Sequence, residues 1–234
     1  MIMKTELEKY IKIFANEPNI LSKIQAAHSA LQALDRHDIP GFPLPKLSFT
    51  NNEILSDLRL MALDDLFSEF RQTIIEYFGV WHLPNKLWLN DLHQFIAGRA
   101  VIEIMAGNGV ITSQLRNFHD HIIATDTFNW QDQDTNHINP WTAVDELDAL
   151  TAIQTLNYDV IILSWAPDTD IVDWQILLTL RKNHFKGDFV VIGEKDGATN
   201  SSVFWKNANL SLIPKLNRYH QPFDFINDQV WLVQ

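Results

Sequence analysis

The residues best suited to chemistry in this sequence lie in a short glycine-containing segment, residues 103–109, which reads EIMAGNG. An apolar run precedes it, and a helix-compatible stretch follows from Val110. Gly107 and Gly109 allow the backbone to approach a ligand closely, and the first amides of a helix have no partner within the helix. Such a turn can hold the polar part of a nucleotide. The alternative is an ordinary strand-to-helix turn that uses glycine only for its dihedral angles.

A carboxylate stands at the end of the next apolar run, where Asp126 follows Gly109 by seventeen residues. In a doubly wound fold, an acid at the carboxyl end of the second strand accepts hydrogen bonds from the hydroxyls of a ribose. The alternative roles of Asp126 are those of a helix cap or a solvated turn residue, since Thr127 could begin the next segment. Because the glycine turn and Asp126 have the expected spacing, we interpret both as parts of one binding site.

These residues resemble the first motif of the class I S-adenosylmethionine-dependent methyltransferases, which reads acid-x-Gly-x-Gly-x-Gly. Glu103, Gly107 and Gly109 match the acid and the last two glycines, whereas Met105 replaces the first glycine. The resemblance covers roughly residues 98–234. The first glycine normally lets the methionine part of the cofactor lie against the turn. Met105 is therefore expected to alter the affinity or the pose of that part.

The resemblance implies S-adenosylmethionine as the cofactor. It places Glu103 at the amino-acid end of the cofactor, Asp126 at the ribose and the pair Asp148-Ala149 at the adenine. The segment 158–167 also looks like the family's Tyr/Phe-Asp-Val strand that runs into a proline-containing loop. The complete set of expected cofactor residues is Glu103, Met105, Ala106, Gly107, Asn108, Gly109, Asp126, Thr127, Asp148, Ala149, Ser164 and Trp165.

No catalytic base can be assigned from the sequence. Methyl transfer is an in-line displacement that needs alignment of the acceptor, and a base only if the acceptor must lose a proton. The candidates are Glu194, His137, Asp168 and His220, and no spacing singles one out. The segment 164–167 lacks the Asn/Asp-Pro-Pro-aromatic form of methyltransferases that act on amino groups of bases and glutamine, so this class of acceptor is disfavoured. The first hypothesis is a methyltransferase that acts on a small molecule.

Two other functions compete with this interpretation. A methyltransferase-like protein that binds S-adenosylmethionine or S-adenosylhomocysteine without catalysis, or serves as an interaction module, is favoured by Met105 and by the missing base. A nicotinamide enzyme is disfavoured because Thr112 stands where G-x-G-x-x-G needs a third small residue. No metal site is expected, because His119 and His121 flank Asp120 without further evident ligands to complete a set.

Four short apolar runs would position these residues. They are rich in Val and Ile and mostly do not alternate with polar residues, which is typical of strands buried on both faces. Helix-compatible stretches at 110–118, 144–156 and 172–184 separate them and predict an α/β fold with a doubly wound, mostly parallel sheet. The runs are Ala100–Met105, His121–Thr125, Tyr158–Ser164 and Asp188–Gly193. Residues 209–213 and 229–233 are expected to add an antiparallel pair at the sheet edge.

The first part of the chain has helical periodicity. It predicts two amphipathic helices within residues 4–37, a proline-rich connector at 39–45 and a longer helix over 52–78. We therefore expect an N-terminal helical cap at 1–85, which could also form a homodimer, and a Rossmann-like S-adenosylmethionine-binding domain at 86–234.

Composition narrows the function further. Eighteen Lys and Arg against 29 Asp and Glu give a net charge of -11, which disfavours general nucleic-acid binding. The absence of cysteine excludes disulfides, thiolate nucleophiles and thiolate metal sites. The first residues lack a signal-peptide core, and no run is long and apolar enough to span a membrane, so a cytoplasmic protein is expected.

Overall fold

A computed structural model describes residues 1–130, 135 and 137–234 of the chain. The helices are α1 (Ile2–Ile13), α2 (Pro18–Leu34), α3 (Asn51–Ser56), α4 (Arg59–Ser68), α5 (Phe70–Phe78), α6 (Lys86–Ile96), α7 (Val110–Arg116), α8 (Ala149–Thr155), α9 (Val172–Lys182), α10 (Ser202–Asn207) and α11 (Pro214–Asn217). The strands are β1 (Val101–Ile104), β2 (Ile122–Asp126), β3 (Asp145–Glu146), β4 (Val160–Ser164), β5 (Asp188–Gly193), β6 (Leu210–Leu212) and β7 (Gln229–Val233).

The seven strands of the described chain form one sheet in the order β3-β2-β1-β4-β5-β7-β6. The first five strands are parallel to one another, and β7 runs antiparallel to both β5 and β6. This confirms the predicted α/β fold with a doubly wound, mostly parallel sheet. The predicted antiparallel pair in the tail is β6 and β7, with β7 inserted between β5 and β6.

The sheet is buried on both faces, which explains its continuous apolar strands. In β1, Val101 packs into one apolar cluster, whereas Ile102 and Ile104 pack into the other. The Val101 cluster continues into the N-terminal helices, including Leu7 and Phe70, so residues 1–85 share a core with the sheet. No helix among the described residues combines the length and apolarity that a membrane span requires.

Two predicted helices differ from the structure. The helix predicted over 52–78 is divided into α3, α4 and α5, because Asp57 has an extended backbone at φ -146° and ψ 99° and ends α3. The stretch 144–156 contains β3 before α8, since Asp145 and Glu146 pair with the end of β2. Helix α8 begins only where the Asp148 carboxylate accepts a hydrogen bond from the Thr151 amide, a typical N-cap.

Candidate functional site

The carboxyl ends of β1, β2 and β4 border a cleft of about 920 Å³. This is the edge at which open α/β sheets bind their ligands. Every predicted cofactor residue except Gly109 lines this cleft. Residues between 68 and 82 of the helical segment also line this cleft.

The glycine turn faces the cleft at Gly107. Its φ is +57°, and a side chain added to it would meet Trp81 at 3.6 Å and Trp130 at 3.9 Å, which are ordinary contact distances. The two indoles stand edge to face with their centroids 5.1 Å apart. Gly109 serves a different purpose, because a Cβ there would lie 2.8 Å from the Val144 side chain. Gly109 thus permits packing, whereas Gly107 leaves room beside two aromatic rings.

Met105 is the residue that departs from the glycine pattern, and its backbone is nevertheless left-handed, with φ +52°. A residue with a Cβ costs about 1–2 kcal/mol in this region. The chain therefore retains the backbone conformation that glycine would adopt freely, and it adds a half-buried thioether side chain to the lining of the cleft.

Asp126 connects the end of β2 to the glycine turn. Its Oδ2 accepts a hydrogen bond from the Gly107 amide at 2.7 Å. Its Oδ1 accepts one from the Phe128 amide at 2.7 Å and one from Trp130 Nε1 at 3.2 Å. A carboxylate offers about four acceptor positions, so these three donors leave room for about one more. Asp126 thus organises the turn in addition to facing the cleft.

Glu103 is buried at the base of the turn. Its Oε2 accepts hydrogen bonds from the Thr112 amide at 2.9 Å and from the Thr112 hydroxyl, and so it caps the first turn of α7. Burial raises the pKa of Glu103 to about 7, the Thr112 hydrogen bonds oppose this increase, and the charge of Asp126 adds to it. A cation close to Glu103 would favour its ionised form.

Two further predicted residues lie at the end of β4. The Ser164 hydroxyl is shielded from solvent and has no hydrogen-bond partner among the described residues. Trp165 has a left-handed backbone, φ +56°, and its Nε1 donates to Asp228 Oδ2 at 2.8 Å. The Arg71 guanidinium lies 4.3 Å from the centroid of the Trp165 ring. The Trp165 indole is therefore fixed by the Asp228 hydrogen bond at its edge and by the Arg71 guanidinium over its face.

Asn108 is fixed by the protein itself. Its Nδ2 donates to the carbonyls of Phe78, Gly79 and His137 at 2.9, 3.3 and 3.0 Å. Its Oδ1 accepts from the Asn139 amide at 2.9 Å. Asn108, one of the predicted cofactor residues, lines the cleft, and its amide group also joins the turn to the end of α5 and to residues 137 and 139.

The remaining predicted cofactor residues border the cleft in different ways. Thr127 and Asp148 are exposed, and Ala149 is buried at the start of α8. The hydrogen bonds from Thr151 lower the pKa of Asp148 below its usual value, which keeps this cap ionised.

The four candidate catalytic bases do not lie together in the cleft. Of the four candidates, Asp168 lines the cleft and is exposed, whereas Glu194, His137 and His220 are not among the described lining residues. Glu194 instead accepts hydrogen bonds from the amides of Ala198 at 2.9 Å and Asn227 at 2.7 Å. Its position indicates a role in ordering the loop after β5.

Sequence reasoning did not identify the residues of the helical segment that line the cleft. Arg71 is buried, pairs with Asp224, and donates from Nη1 to the Trp81 carbonyl at 2.8 Å. Arg71 and Trp81 both line the cleft. No local pattern identifies them, because they reach the site only when the helical segment packs on the sheet.

No protein-family model matches the sequence, and no curated protein matches it. The CcbJ methyltransferase from Streptomyces caelestis is similar in structure at 15% identity and a TM-score of 0.30, over 48% of this chain and 50% of that protein. A 1,6-didemethyltoxoflavin-N1-methyltransferase from Burkholderia thailandensis matches at 12% identity and a TM-score of 0.37, over 82% and 92% of the two chains. TehB from Haemophilus influenzae matches at 10% identity and a TM-score of 0.37, over 70% and 66%.

The chain is similar to parts of these solved structures. It spans about half the length of CcbJ and 66% of TehB. These similarities concern the fold. What the site does is therefore argued from its own residues.

Proposed function

We propose that the protein is an S-adenosylmethionine-dependent methyltransferase that acts on a small-molecule acceptor. The observation that carries the proposal is the 2.7 Å hydrogen bond between the Gly107 amide and Asp126, at the border of the large cleft. It joins the two features whose sequence spacing is typical of a ribose-containing ligand. Both are directed toward a volume that can accommodate such a ligand.

The residues of the cleft fit this cofactor. The remaining acceptor position of Asp126 suits a ribose hydroxyl, and the buried carboxyl of Glu103 suits the ammonium group of the amino-acid end. Asp148 and Ala149 border the region proposed for the adenine. The cofactor supplies a methyl group on a positively charged sulfur, and the protein has to align an acceptor with it and exclude water.

The lining favours an acceptor that is partly aromatic and not anionic. Trp81, Trp165 and Phe225 provide aromatic surface. The acids Asp168 and Asp170 are exposed along the same cleft, so an anionic acceptor would be repelled. The positive charge of Arg71 is balanced by Asp224 and does not reverse this preference.

Calorimetric titration with S-adenosylmethionine, S-adenosylhomocysteine and NAD tests the proposal. We expect the first two ligands to bind and NAD not to bind. Gly107→Val should weaken binding at least tenfold, because the new side chain would extend toward Trp81 in the cleft. Gly98→Val is the matched control, since Gly98 also has a positive φ, +77°, but a Cβ there has no neighbour within 4 Å.

The two glycine variants share the backbone strain and differ only in what the side chain meets. Equal affinity of the wild type and a folded Gly107→Val variant would contradict the proposed site. A wild type that binds neither adenosyl ligand would contradict the function itself.

A protein that binds the cofactor without catalysis is the second candidate, and Met105 favours it because its side chain occupies the lining where the family motif has glycine. Incubation with methyl-labelled S-adenosylmethionine and a panel of small aromatic alcohols and amines separates the two candidates. Transfer of label to an acceptor supports the methyltransferase. Binding without transfer to any member of the panel supports the second candidate.

A further inference from the structure

A second group of chemically capable side chains lies beside a smaller cavity. His82, His220 and Asp228 each place one potential ligand atom so that all three atoms lie within 4.8 Å of one another. Their side chains border a cavity of about 20 Å³, which is room for about one water molecule. We propose that this cluster binds a divalent transition-metal ion, with Zn²⁺ as the first candidate.

The hydrogen bonding of the two imidazoles is incomplete. His82 is buried, and neither of its ring nitrogens has a hydrogen-bond partner among the described residues. Nε2 of His220 lies 3.3 Å from Asp228 Oδ2 and likewise has no hydrogen bond of good geometry. Buried polar atoms are nearly always paired, because an unpaired one costs free energy of desolvation. Ligation of an ion would satisfy one nitrogen of each ring.

The three side chains are of the types that bind such an ion, an imidazole in its neutral form and a carboxylate in its ionised form. Asp228 Oδ2 lies 3.3 Å from His220 Nε2, so two of the three ligand groups are already close together.

The ligand set matches a known preference of Zn²⁺. Two imidazoles and a carboxylate with a water at the fourth position form a common zinc site, with bonds of about 2.0–2.2 Å. Two ligand atoms on a tetrahedral ion with these bond lengths lie about 3.3–3.6 Å apart, so binding would draw the three ligand atoms, which lie within 4.8 Å of one another, together by up to about 1.5 Å. Arg71 borders the same cavity, and its charge is balanced by its pair with Asp224.

A bound ion would connect distant parts of the chain. His82 follows α5 within the helical segment, whereas His220 and Asp228 lie between α11 and β7. Asp228 also accepts the hydrogen bond from Trp165 Nε1, and Trp165 lines the large cleft. The ion would thus hold the wall of the cleft against the sheet and fix Trp165. The proposal does not depend on which cofactor the cleft binds.

Metal analysis of the 234-residue chain, purified without a histidine tag, tests the site. After dialysis against EDTA and then against Zn²⁺ and a weak chelator, we expect about one zinc ion per chain by mass spectrometry. Addition of Zn²⁺ should raise the melting temperature of the EDTA-treated protein. Co²⁺ bound in its place should show visible absorption typical of tetrahedral coordination.

Asp228→Asn should weaken Zn²⁺ binding at least tenfold while still accepting the Trp165 hydrogen bond through its amide oxygen. Asp120→Asn is the matched control, because Asp120 also pairs with a histidine but is not part of the cluster. Its Oδ2 lies 2.9 Å from His93 Nδ1. It should leave the zinc content unchanged.

Three results would overturn the proposal. They are a wild type that retains no zinc, a melting temperature that Zn²⁺ does not change, or a folded Asp228→Asn variant that binds Zn²⁺ like the wild type. If Asp228→Asn does not fold, the comparison of EDTA-treated and zinc-loaded wild type decides alone. All measurements are made without S-adenosylmethionine, so their outcome is independent of the proposed methyl transfer.

Discussion

Replacing Glu103 by Gln should make the protein more stable at neutral and alkaline pH. The pKa of Glu103 rises from 4.5 to about 7 on folding, mainly through burial. This difference corresponds to about 3 kcal/mol at 1.36 kcal/mol per pKa unit. Between pH 4.5 and 7 the folded chain holds a proton that the unfolded chain has released, so stability falls as the pH rises through this window. Above pH 7 the full penalty applies.

Glutamine imitates the protonated acid, because its amide oxygen can still accept the Thr112 N–H hydrogen bond. Glu103→Gln should therefore unfold like the wild type near pH 4.5 and be more stable at pH 8 by up to about 3 kcal/mol. Urea denaturation of both proteins at intervals from pH 4.5 to 8 measures the difference. Glu146→Gln is the matched control, since Glu146 is exposed and the substitution should not change the pH profile.

Parallel stability profiles of the wild type and Glu103→Gln over this range would refute the reasoning. The same variant also tests the proposed site. If Glu103 faces the ammonium group of the cofactor, binding favours the ionised carboxyl, and the affinity of the wild type for S-adenosylhomocysteine should rise between pH 6 and 8. Glu103→Gln should lose this rise and bind more weakly at pH 8.

Four further substitutions probe the turn and its surroundings. Asn108→Ala should lower the free energy of unfolding by about 3 kcal/mol, because buried backbone groups lose their partner; an unchanged urea midpoint would show that the amide group does not join these segments. Met105→Gly should leave stability unchanged or raise it by about 1 kcal/mol, since release of left-handed strain exceeds the entropic cost of glycine; a clear drop in melting temperature would contradict this. Ser164→Ala and Thr125→Val each remove a buried hydroxyl without a partner among the described residues and should not destabilise the protein. Only Ser164→Ala should weaken cofactor binding, because Ser164 borders the cleft; equal titrations would remove Ser164 from the site.

The sheet could be predicted because burial on both faces requires uninterrupted apolar strands. Strands such as Val160–Ser164 meet this requirement, and their order along the chain follows from the helices between them. Strand β3 could not be predicted, since its two residues are acidic and exposed at the edge of the sheet. The breaks at both ends of α4 depend on single residues such as Asp57, which periodicity over a long window does not detect.

The sheet side of the site could also be predicted, because Gly107 and Asp126 follow strands whose ends meet at one edge. The part of the cleft lined by the helical segment could not be predicted, since Arg71 and Trp81 reach it through tertiary packing. The same limit explains why the sequence predicts no metal, whereas the structure brings His82 and His220 together from opposite parts of the chain. The cofactor roles, the boundary at 85/86, the homodimer and the cytoplasmic location remain predictions.

The position of Asn108 has a consequence for how the binding site forms. Its side chain bridges the end of α5 and the loop before β3, so the turn cannot reach its final shape until the helical segment has docked. The Gly107 amide should therefore be protected from hydrogen exchange in the same cooperative unit as the last turn of α5. A fragment that begins at residue 86 would keep Asp126, His137 and Asn139 but lose the carbonyls of Phe78 and Gly79 that accept from Asn108. The capacity of the turn to bind a ligand should therefore depend on the helical segment as well as on the sheet.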